Sequence, residues 1–383
     1  MSNFTLYMTT DCNFKCKYCY EDYQKHYQLN EKTLVEALEF IMNYEEKGKV
    51  LLDFLGGEPL LKKDLIYKAV RYIETHYVDR KVKYYITTNC SLMNDEFIEF
   101  MKAHNFTIRL SFDGNKATHD LNRVSKDGCS CYEKILENIM KVKNSGVNSS
   151  VRMTVTENTI PHMFKNIRFL HEKGLDNICM IMDVYLKINK KLETEFRKQV
   201  KVITNYYLDE AEAGRIFTID QFDGKLFNML CNFGNHFCMC DAGIGNLKIF
   251  PNGQIYPCGF LTNDEKFSIG NIWDGVDIRK AKLIALSNFE KCKDCKIRDF
   301  CHGMKCGYMN FVNTGKINIP SDAECIFEHI FYEAMVLIVE YYLKQPVDIL
   351  RAKMGLYIEY IKAENLKLGI YGEAIAKRLE DEN

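Results

Sequence analysis

Six times between residues 4 and 184, a short run of β-branched and aromatic residues alternates with a longer segment whose apolar residues recur at helical spacing. No other feature of this 383-residue chain limits its fold as much, because parallel strands need long crossover connections and a helix is the usual one. FTLYM (4–8), VLLDFL (50–55), VKYYITTN (82–89), FTIRLSFDG (106–114), SSVRMTV (149–155) and DNICMIMDV (176–184) read as the strands. The helix over 31–47 places Leu34, Leu38, Ile41 and Met42 on one side, with Asn30 as N-cap and Gly48 as the stop. Further helices fall at 64–77, 95–104, 132–146 and 161–174, the last with Pro161 in its first turn and Gly174 at its end. The strands read as apolar on both faces, as parallel strands commonly are. A long polar helix follows at 190–214. From 226 to 325 cysteines, glycines and short strands dominate, and LKIFPNGQIYPC reads as a hairpin around a two-residue Asn252-Gly253 turn. Residues 326–378 read as helical.

Charge and hydropathy exclude some partners. Lys and Arg number 51 against 52 Asp and Glu, for a net charge of −1, and they are dispersed, so nothing favours nucleic acid. The N-terminus lacks a basic-then-apolar export signal. The apolar run IFEHIFYEAMVLIVEYYL is interrupted by Glu328, Glu333 and Glu340, which suits a buried helix and not a membrane span. A cytoplasmic protein is expected, with no nucleic acid and no membrane as partner.

In a reducing compartment, 16 cysteines call for an account other than structural disulfides. Cys90 and Cys179 suit an ordinary core. Most of the others fall into two groups. In the first, Cys12, Cys16 and Cys19 crowd into one loop directly after the first strand. Three thiolates on a loop, with no His or fourth Cys nearby, can hold three corners of a four-iron cubane and leave one iron open. The second group runs from Cys231 through Cys238, Cys240, Cys258, Cys292, Cys295, Cys301 and Cys306 to Cys325.

Cys12-x3-Cys16-x-Tyr18-Cys19 resembles the C-x3-C-x-aromatic-C motif of the radical S-adenosylmethionine (SAM) enzymes. Gly56-Gly57-Glu58-Pro59 after strand two resembles the family's GGE motif, Thr87-Thr88-Asn89 follows strand three, and Ser111-Phe112-Asp113-Gly114 ends strand four. The resemblance implies that Tyr18, Gly56, Gly57, Glu58, Ser111 and Arg152 contact SAM. Glu58 would face its ammonium, Ser111 its ribose or carboxylate, and Arg152 its carboxylate. It also implies a partial (β/α)6 TIM-type barrel with its site at the C-terminal strand ends. The second group resembles the SPASM extension, in which two auxiliary 4Fe-4S clusters sit in a small Cys-rich domain. By that likeness Cys292, Cys295, Cys301 and Cys325 hold the distal cluster. Cys240, Cys258 and Cys306 hold the proximal one, with Cys231 or Cys238 as its fourth ligand. One departure stands out: four residues, not three, separate Cys301 from Cys306. Zinc knuckles are the competing account of these cysteines.

The expected fold is thus α/β: a barrel over 1–190, a helical linker over 191–225, a SPASM domain over 226–331 and C-terminal helices over 332–383. The cofactors implied are SAM and three 4Fe-4S clusters, one binding SAM and two auxiliary. The implied reaction is reductive cleavage of SAM to a 5′-deoxyadenosyl radical, which takes hydrogen from a peptide substrate to form a thioether or C–C crosslink or to epimerise a residue. Formylglycine formation by an anaerobic sulfatase maturase is the alternative; there an Asp follows the hairpin cysteine and acts as a base, whereas here Gly259 follows Cys258. A non-catalytic electron carrier or regulator is a third reading, which the intact SAM motifs oppose. The implied partners are a peptide or protein substrate and an electron donor such as flavodoxin or ferredoxin. Since strand one opens near residue 4, a separate peptide-recognition protein is also a candidate partner. Cys129 and Cys131 in DGCSCY read as a solvent-facing loop, or else as a thiol that donates hydrogen or holds substrate. No residue is singled out as catalytic.

Overall fold

The computed structural model describes residues 2–21, 25–232, 240–262, 264–280, 290–301 and 306–381. Packing divides the chain into two compact units, residues 1–154 with 240–286 and residues 155–239 with 287–383.

In the first unit β1 (Ser2–Tyr7), α1 (Glu31–Tyr44), β2 (Val50–Leu55), α2 (Lys63–His76), β3 (Val82–Thr88), α3 (Asp95–Ala103) and β4 (Thr107–Ser111) follow the expected alternation. The short α4 (Lys116–Asn122), α5 (Tyr132–Ser145) and β5 (Asn148–Val155) complete the N-terminal run. The caps have identifiable causes. The Asn30 side chain accepts the Thr33 N–H at the start of α1, and Gly146 ends α5 in the left-handed region at φ 80°. Helix α1 stops at Tyr44, short of Gly48, whose N–H instead donates to the Glu45 carboxylate. Helix α4 has no counterpart in the sequence reading: its seven residues are too few and too polar to show a helical period.

Strands β1 to β5 pair in parallel, in order. On the far side of β1 lies β8 (Asn246–Ile249), also parallel, continued antiparallel by β9 (Gln254–Tyr256), β10 (Gly270–Asn271) and β11 (Gly275–Val276). The hairpin read from sequence as part of a Cys-rich domain over 226–331 therefore extends the same sheet as β1. Its turn also differs from expectation. Phe250 pairs with Gln254, the Gly253 N–H donates to the Phe250 carbonyl, and only Gly253 has a positive φ (80°). This is a three-residue loop, Pro251-Asn252-Gly253, and not the two-residue turn that requires Asn252 to be left-handed as well.

The sheet is not apolar on both faces, contrary to the reading of its strands. Phe4, Leu6, Leu52, Phe54, Ile86, Ile108, Leu110 and Val151 share one buried face. Phe4 packs there edge-on against Tyr44 of α1, and Phe54 and Tyr84 stack on Phe106. The register places Lys248, Thr5, Asp53 and Tyr85 side by side on the opposite face, with Arg109, Ser111 and Arg152 further along. Arg109 is exposed although it lies between the fully buried Ile108 and Leu110, so this second face borders open space.

The second unit holds α6 (Met163–Glu172), β6 (Asn177–Met182), α7 (Lys190–Glu212), β7 (Thr218–Ile219) and α8 (Asp220–Leu230). After its cysteine-bearing turns come α9 (Gly307–Thr314), α10 (Asp322–Leu343), α11 (Val347–Ala363) and α12 (Ile370–Asp381). Strands β6 and β7 pair in parallel. Phe196 of α7 packs on Phe327 and Phe331 of α10, and the buried Lys225–Glu328 pair (2.7 Å) ties α8 to α10. Ser321 and Glu324 form a capping box at the start of α10. No helix among the described residues is long and apolar enough to cross a membrane.

Trp273, the chain's only tryptophan, lies over Gly253, where an added Cβ would come within 2.4 Å of its ring; its indole N–H donates to Glu36 at 3.0 Å. Gly253→Ala should combine left-handed strain of about 1–2 kcal/mol with displacement of the indole. We expect a lower unfolding midpoint and a red-shifted native emission from Trp273. An unshifted spectrum would mean that the indole does not pack on the turn.

Candidate functional site

The loop after β1 carries Cys12, Cys16 and Cys19. The ends of β2, β3, β4 and β5 bring Gly56 to Glu58, Thr88 and Asn89, Ser111 to Asp113, and Arg152. The cysteine loop is held by backbone approach. The Gly57 N–H donates to Thr9 O at 2.9 Å and the Glu58 N–H to Asp11 O at 2.8 Å. A Cβ on Gly56, whose φ is 140°, would come within 2.2 Å of Thr9 O, and one on Gly57 within 2.3 Å of Asp11 O. Only glycine permits this spacing.

Glu58 is buried and both its oxygens are bonded. Oε1 accepts the Thr88 hydroxyl at 2.6 Å and the Leu60 N–H at 3.0 Å, and Oε2 accepts the Asn89 N–H at 2.8 Å. Burial pushes its carboxyl above the usual range, and these three donors oppose the shift. The carboxylate thus clamps the end of β2 to the end of β3, and one acceptor position remains on Oε2. From there the Asn89 amide reaches Asn13 Oδ1 at 2.9 Å and Cys12 Sγ at 3.9 Å. The Phe14 N–H also donates to Cys12 Sγ, at 3.3 Å.

Tyr18 is tied into a network that sequence reasoning missed. Its hydroxyl donates to Asp113 Oδ2 at 2.8 Å, and the Arg123 guanidinium lies 5.3 Å from its ring centre. Arg123 in turn donates to Asp113 Oδ1 at 3.0 Å, and its positive charge favours the thiolate form of Cys16. The signal that could have found Arg123 is a charged residue ten positions beyond Asp113, but nothing local marks it as buried.

Burial is the main reason that the Cys12 thiol is pushed up to about 12, the Cys19 thiol to about 11 and the Cys16 thiol in the same direction. Such thiols become thiolates only beside positive charge. No three His, Cys, Asp or Glu side chains among the described residues converge tightly enough for one metal ion. A cubane's ligands bind separate iron corners and lie further apart than those of one ion. The buried Nε of Arg123 has no partner, a feature that fits a group of negative charge beside Cys16.

Ser111 and Arg152 are neighbours in register on β4 and β5. Arg152 acts electrostatically on Glu21, Tyr20 and Asp53. The Glu21 carboxyl, pushed up to about 7 chiefly by burial, accepts the Tyr7 hydroxyl at 3.2 Å. That hydroxyl lies 3.0 Å from where a Cβ on Gly259 would stand, and the Tyr20 ring 3.8 Å.

Of the second cysteine group, Cys240 and Cys258 belong to the first unit, and Cys231, Cys292, Cys295, Cys301, Cys306 and Cys325 to the second. Cys238, and residues 302–305 between Cys301 and Cys306, lie outside the described residues. In the second unit Cys292 and Cys325 lie close enough to perturb each other's charge, and Lys291 donates to Cys325. Cys295 Sγ lies 3.7 Å from His329 Nε2. Cys301 is buried, and Cys231 is buried in an isolated bridge with Leu368. None of the described cysteines forms a disulfide. Cys129 is exposed and Cys131 partly so, just before α5.

The Glu58 clamp can be tested. Glu58→Gln keeps the shape but turns an N–H2 toward at least one N–H or O–H donor. We expect about 1–3 kcal/mol loss of unfolding free energy without any cofactor, the range for an unsatisfied buried group. Unchanged stability in denaturant titration would remove the clamp.

Residues 6–170 match the Radical SAM superfamily. The chain is 26% identical over 319 residues to the cysteine-type anaerobic sulfatase-maturating enzyme of Clostridium perfringens (strain 13 / Type A), across 77% of this chain and 86% of that protein. It is 22% identical over 325 residues to the radical SAM cyclopropyl synthase TigE of Paramaledivibacter caminithermalis, across 79% and 67%. The solved structure of native anSMEcpe with bound AdoMet and Cp18Cys peptide matches with a TM-score of 0.74 at 22% identity, over 92% of this chain and 99% of that one, which is a likeness of fold. The fold class is the one expected, an α/β chain with a partial (β/α)6 barrel, a Cys-rich segment and C-terminal helices. With its match to the Radical SAM superfamily at residues 6–170, the chain is an enzyme that works with S-adenosylmethionine and 4Fe-4S clusters.

Proposed function

We propose that this enzyme is a maturase that modifies a residue within a peptide or protein, by a thioether or C–C crosslink or by epimerisation. Cys12, Cys16 and Cys19 hold the cluster that binds SAM. Gly56, Gly57 and Glu58 present the cofactor's amino group with backbone carbonyls and the remaining Oε2 acceptor, and Ser111 and Arg152 face its ribose and carboxylate. Tyr18 orders the loop through Asp113. Bound in this way, SAM supplies the means to take a hydrogen atom from an unactivated C–H bond. The chain's own residues position the two reactants and keep water away, while the polar sheet face with Asp53, Arg109 and Lys248 meets the substrate. Cys292, Cys295, Cys301 and Cys325 hold a distal auxiliary cluster. Cys240, Cys258 and Cys306 hold a proximal one, with Cys231 or Cys238 as fourth ligand. A flavodoxin or ferredoxin supplies electrons, and a separate protein can deliver the peptide. The compact division at 154 and 286 crosses the sequence boundaries at 190, 225 and 331, so the SPASM segment is proposed as a ligand-bearing stretch and not as a separately folding piece.

The observation that carries the finer reading is at Gly259. The resemblance to sulfatase maturases would put a carboxylate base there, but Gly259 stands in its place, with the Tyr7 hydroxyl 3.0 Å from where a Cβ would lie and the Tyr20 ring in ordinary contact at 3.8 Å. A second reading, formylglycine formation on a sulfatase, draws on the 26% identity to the Clostridium perfringens enzyme. Anaerobically reconstituted enzyme given SAM, dithionite and a Cys- or Ser-containing sulfatase peptide should cleave SAM without making formylglycine. Aldehyde-trapped formylglycine in the mass spectrum would instead establish the second reading. Co-expression with short peptides encoded beside its gene should yield one that loses a hydrogen pair or inverts a stereocentre.

Iron content tests the ligands. The reconstituted protein should carry about twelve irons, and the triple Ala variant at Cys12, Cys16 and Cys19 about four fewer, with no 5′-deoxyadenosine formed. A triple variant that still cleaves SAM would show that the cluster is held elsewhere.

A further inference from the structure

Arg123 takes no part in the proposed function. It is 7% exposed, and Asp113, its salt-bridge partner at 3.0 Å, is fully buried. A buried pair of this kind is weak evidence for stability, since desolvation offsets most of its attraction. Its position suggests another use. Phe14 and Ser125 pair in an antiparallel bridge. Beyond that bridge the Lys15 N–H donates to Val124 O at 2.7 Å and the Lys17 N–H to Asn122 O at 2.9 Å. The two segments run antiparallel, so Cys16 stands directly across from Arg123, whose positive charge favours its thiolate form. Helix α4 makes this possible: it turns the chain after Asp113 so that Arg123, its C-cap, returns to Asp113 ten residues later. Thr154 N–H and the Tyr18 hydroxyl also bond Asp113, fixing the carboxylate that fixes the arginine. The guanidinium Nε is buried without a partner.

We propose that Arg123 is the resident counter-charge of the SAM-binding cluster: a positioning residue that donates to the Cys16 thiolate and raises the cluster's reduction potential, with Asp113 as the opposing charge that limits the effect. The inference rests on the reading of Cys12, Cys16 and Cys19 as cluster ligands. Net charge and hydrogen bonds to sulfur are two of the levers that set such potentials. Reduction adds a negative charge, so a nearby cation stabilises the reduced form more than the oxidised one. Loss of the cation must therefore lower the potential, and loss of the anion must raise it. Lysine does not substitute fully, because it lacks the planar fork that serves Asp113 and Cys16 together.

The test is an anaerobic redox titration of full-length reconstituted protein. It follows by electron paramagnetic resonance the one cluster whose signal changes when SAM is added, alongside iron content and circular dichroism. Asp113→Asn is nearly isosteric and should raise the potential. Arg123→Met should lower it, so that at a fixed donor potential the reduced-to-oxidised ratio falls about tenfold, or 59 mV for a one-electron couple. The double variant should still lie below the wild type, because the arginine is the nearer charge. A purely structural pair would change iron content or folding without this order of potentials. If Arg123→Met cannot hold the cluster, the upward shift of Asp113→Asn decides alone. An Asp113→Asn potential equal to the wild type, in folded protein with full iron, overturns the proposal. A wild type with no SAM-responsive signal overturns the ligand reading beneath it, which is a distinguishable result.

Discussion

The site depends on how closely the end of β2 approaches the backbone that leaves β1. Gly56 and Gly57 lack the Cβ atoms that would strike Thr9 O and Asp11 O, so two backbone hydrogen bonds can form between the strand ends. The loop with Cys12, Cys16 and Cys19 begins at that contact. On the other side of the glycines, Glu58 reaches Thr88 and Asn89, and Asn89 reaches back to Asn13 and Cys12. The ends of three strands are thereby joined around the cysteine loop by groups that are short, buried and bonded. A site built on strand ends is held more firmly than one on a free loop, which suits chemistry that needs reactants placed to a fraction of an ångström.

The sheet's two faces divide the labour. One buries aromatic and aliphatic side chains against the helices and supplies the hydrophobic stabilisation of the first unit. The other carries Asp53, Arg109, Arg152 and Lys248. The Asp53 Oδ1 atom is buried without a hydrogen-bond partner. Burial raises its carboxyl while Lys248, Arg109 and Arg152 draw it back, and burial lowers the Lys248 ammonium against the pull of Asp53. Groups left in this balance cost stability, and they are commonest where a protein binds or reacts.

Strand β1 links these themes. It pairs with β2 on one edge and β8 on the other, so the hairpin before Cys258 is aligned with the strand that leads to Cys12. Thr5, Asp53 and Lys248 stand in one row only because both pairings are parallel and in this register, since a slip of one residue would turn each row to the other face.

Much of this was legible in the sequence. Strand and helix positions were, because periodicity is local. So were Asn30 and Gly146 as caps, and the grouping of cysteines, whose short spacings are set by chemistry rather than by the rest of the fold. What escaped depended on residues distant along the chain. The β8–β1 pairing joins segments more than two hundred positions apart and leaves no local mark. The alternation in VLLDFL, with Asp53 between apolar neighbours, was present but gained meaning only when Thr5 and Lys248 appeared beside it. Asn252-Gly253 announced a turn, yet its three-residue form is seen only where Phe250 pairs with Gln254 and Trp273 covers Gly253. Nothing near Arg123 in the sequence marked it for burial beside Asp113; α4 brings the two together only in the folded chain. The sequence by itself determined the order of elements and the inventory of thiols, because both follow from neighbouring residues. The tertiary structure alone decided which charges became buried and which donors faced which sulfurs, because hydrogen bonds and desolvation depend on distances in space, and only the packed chain sets those.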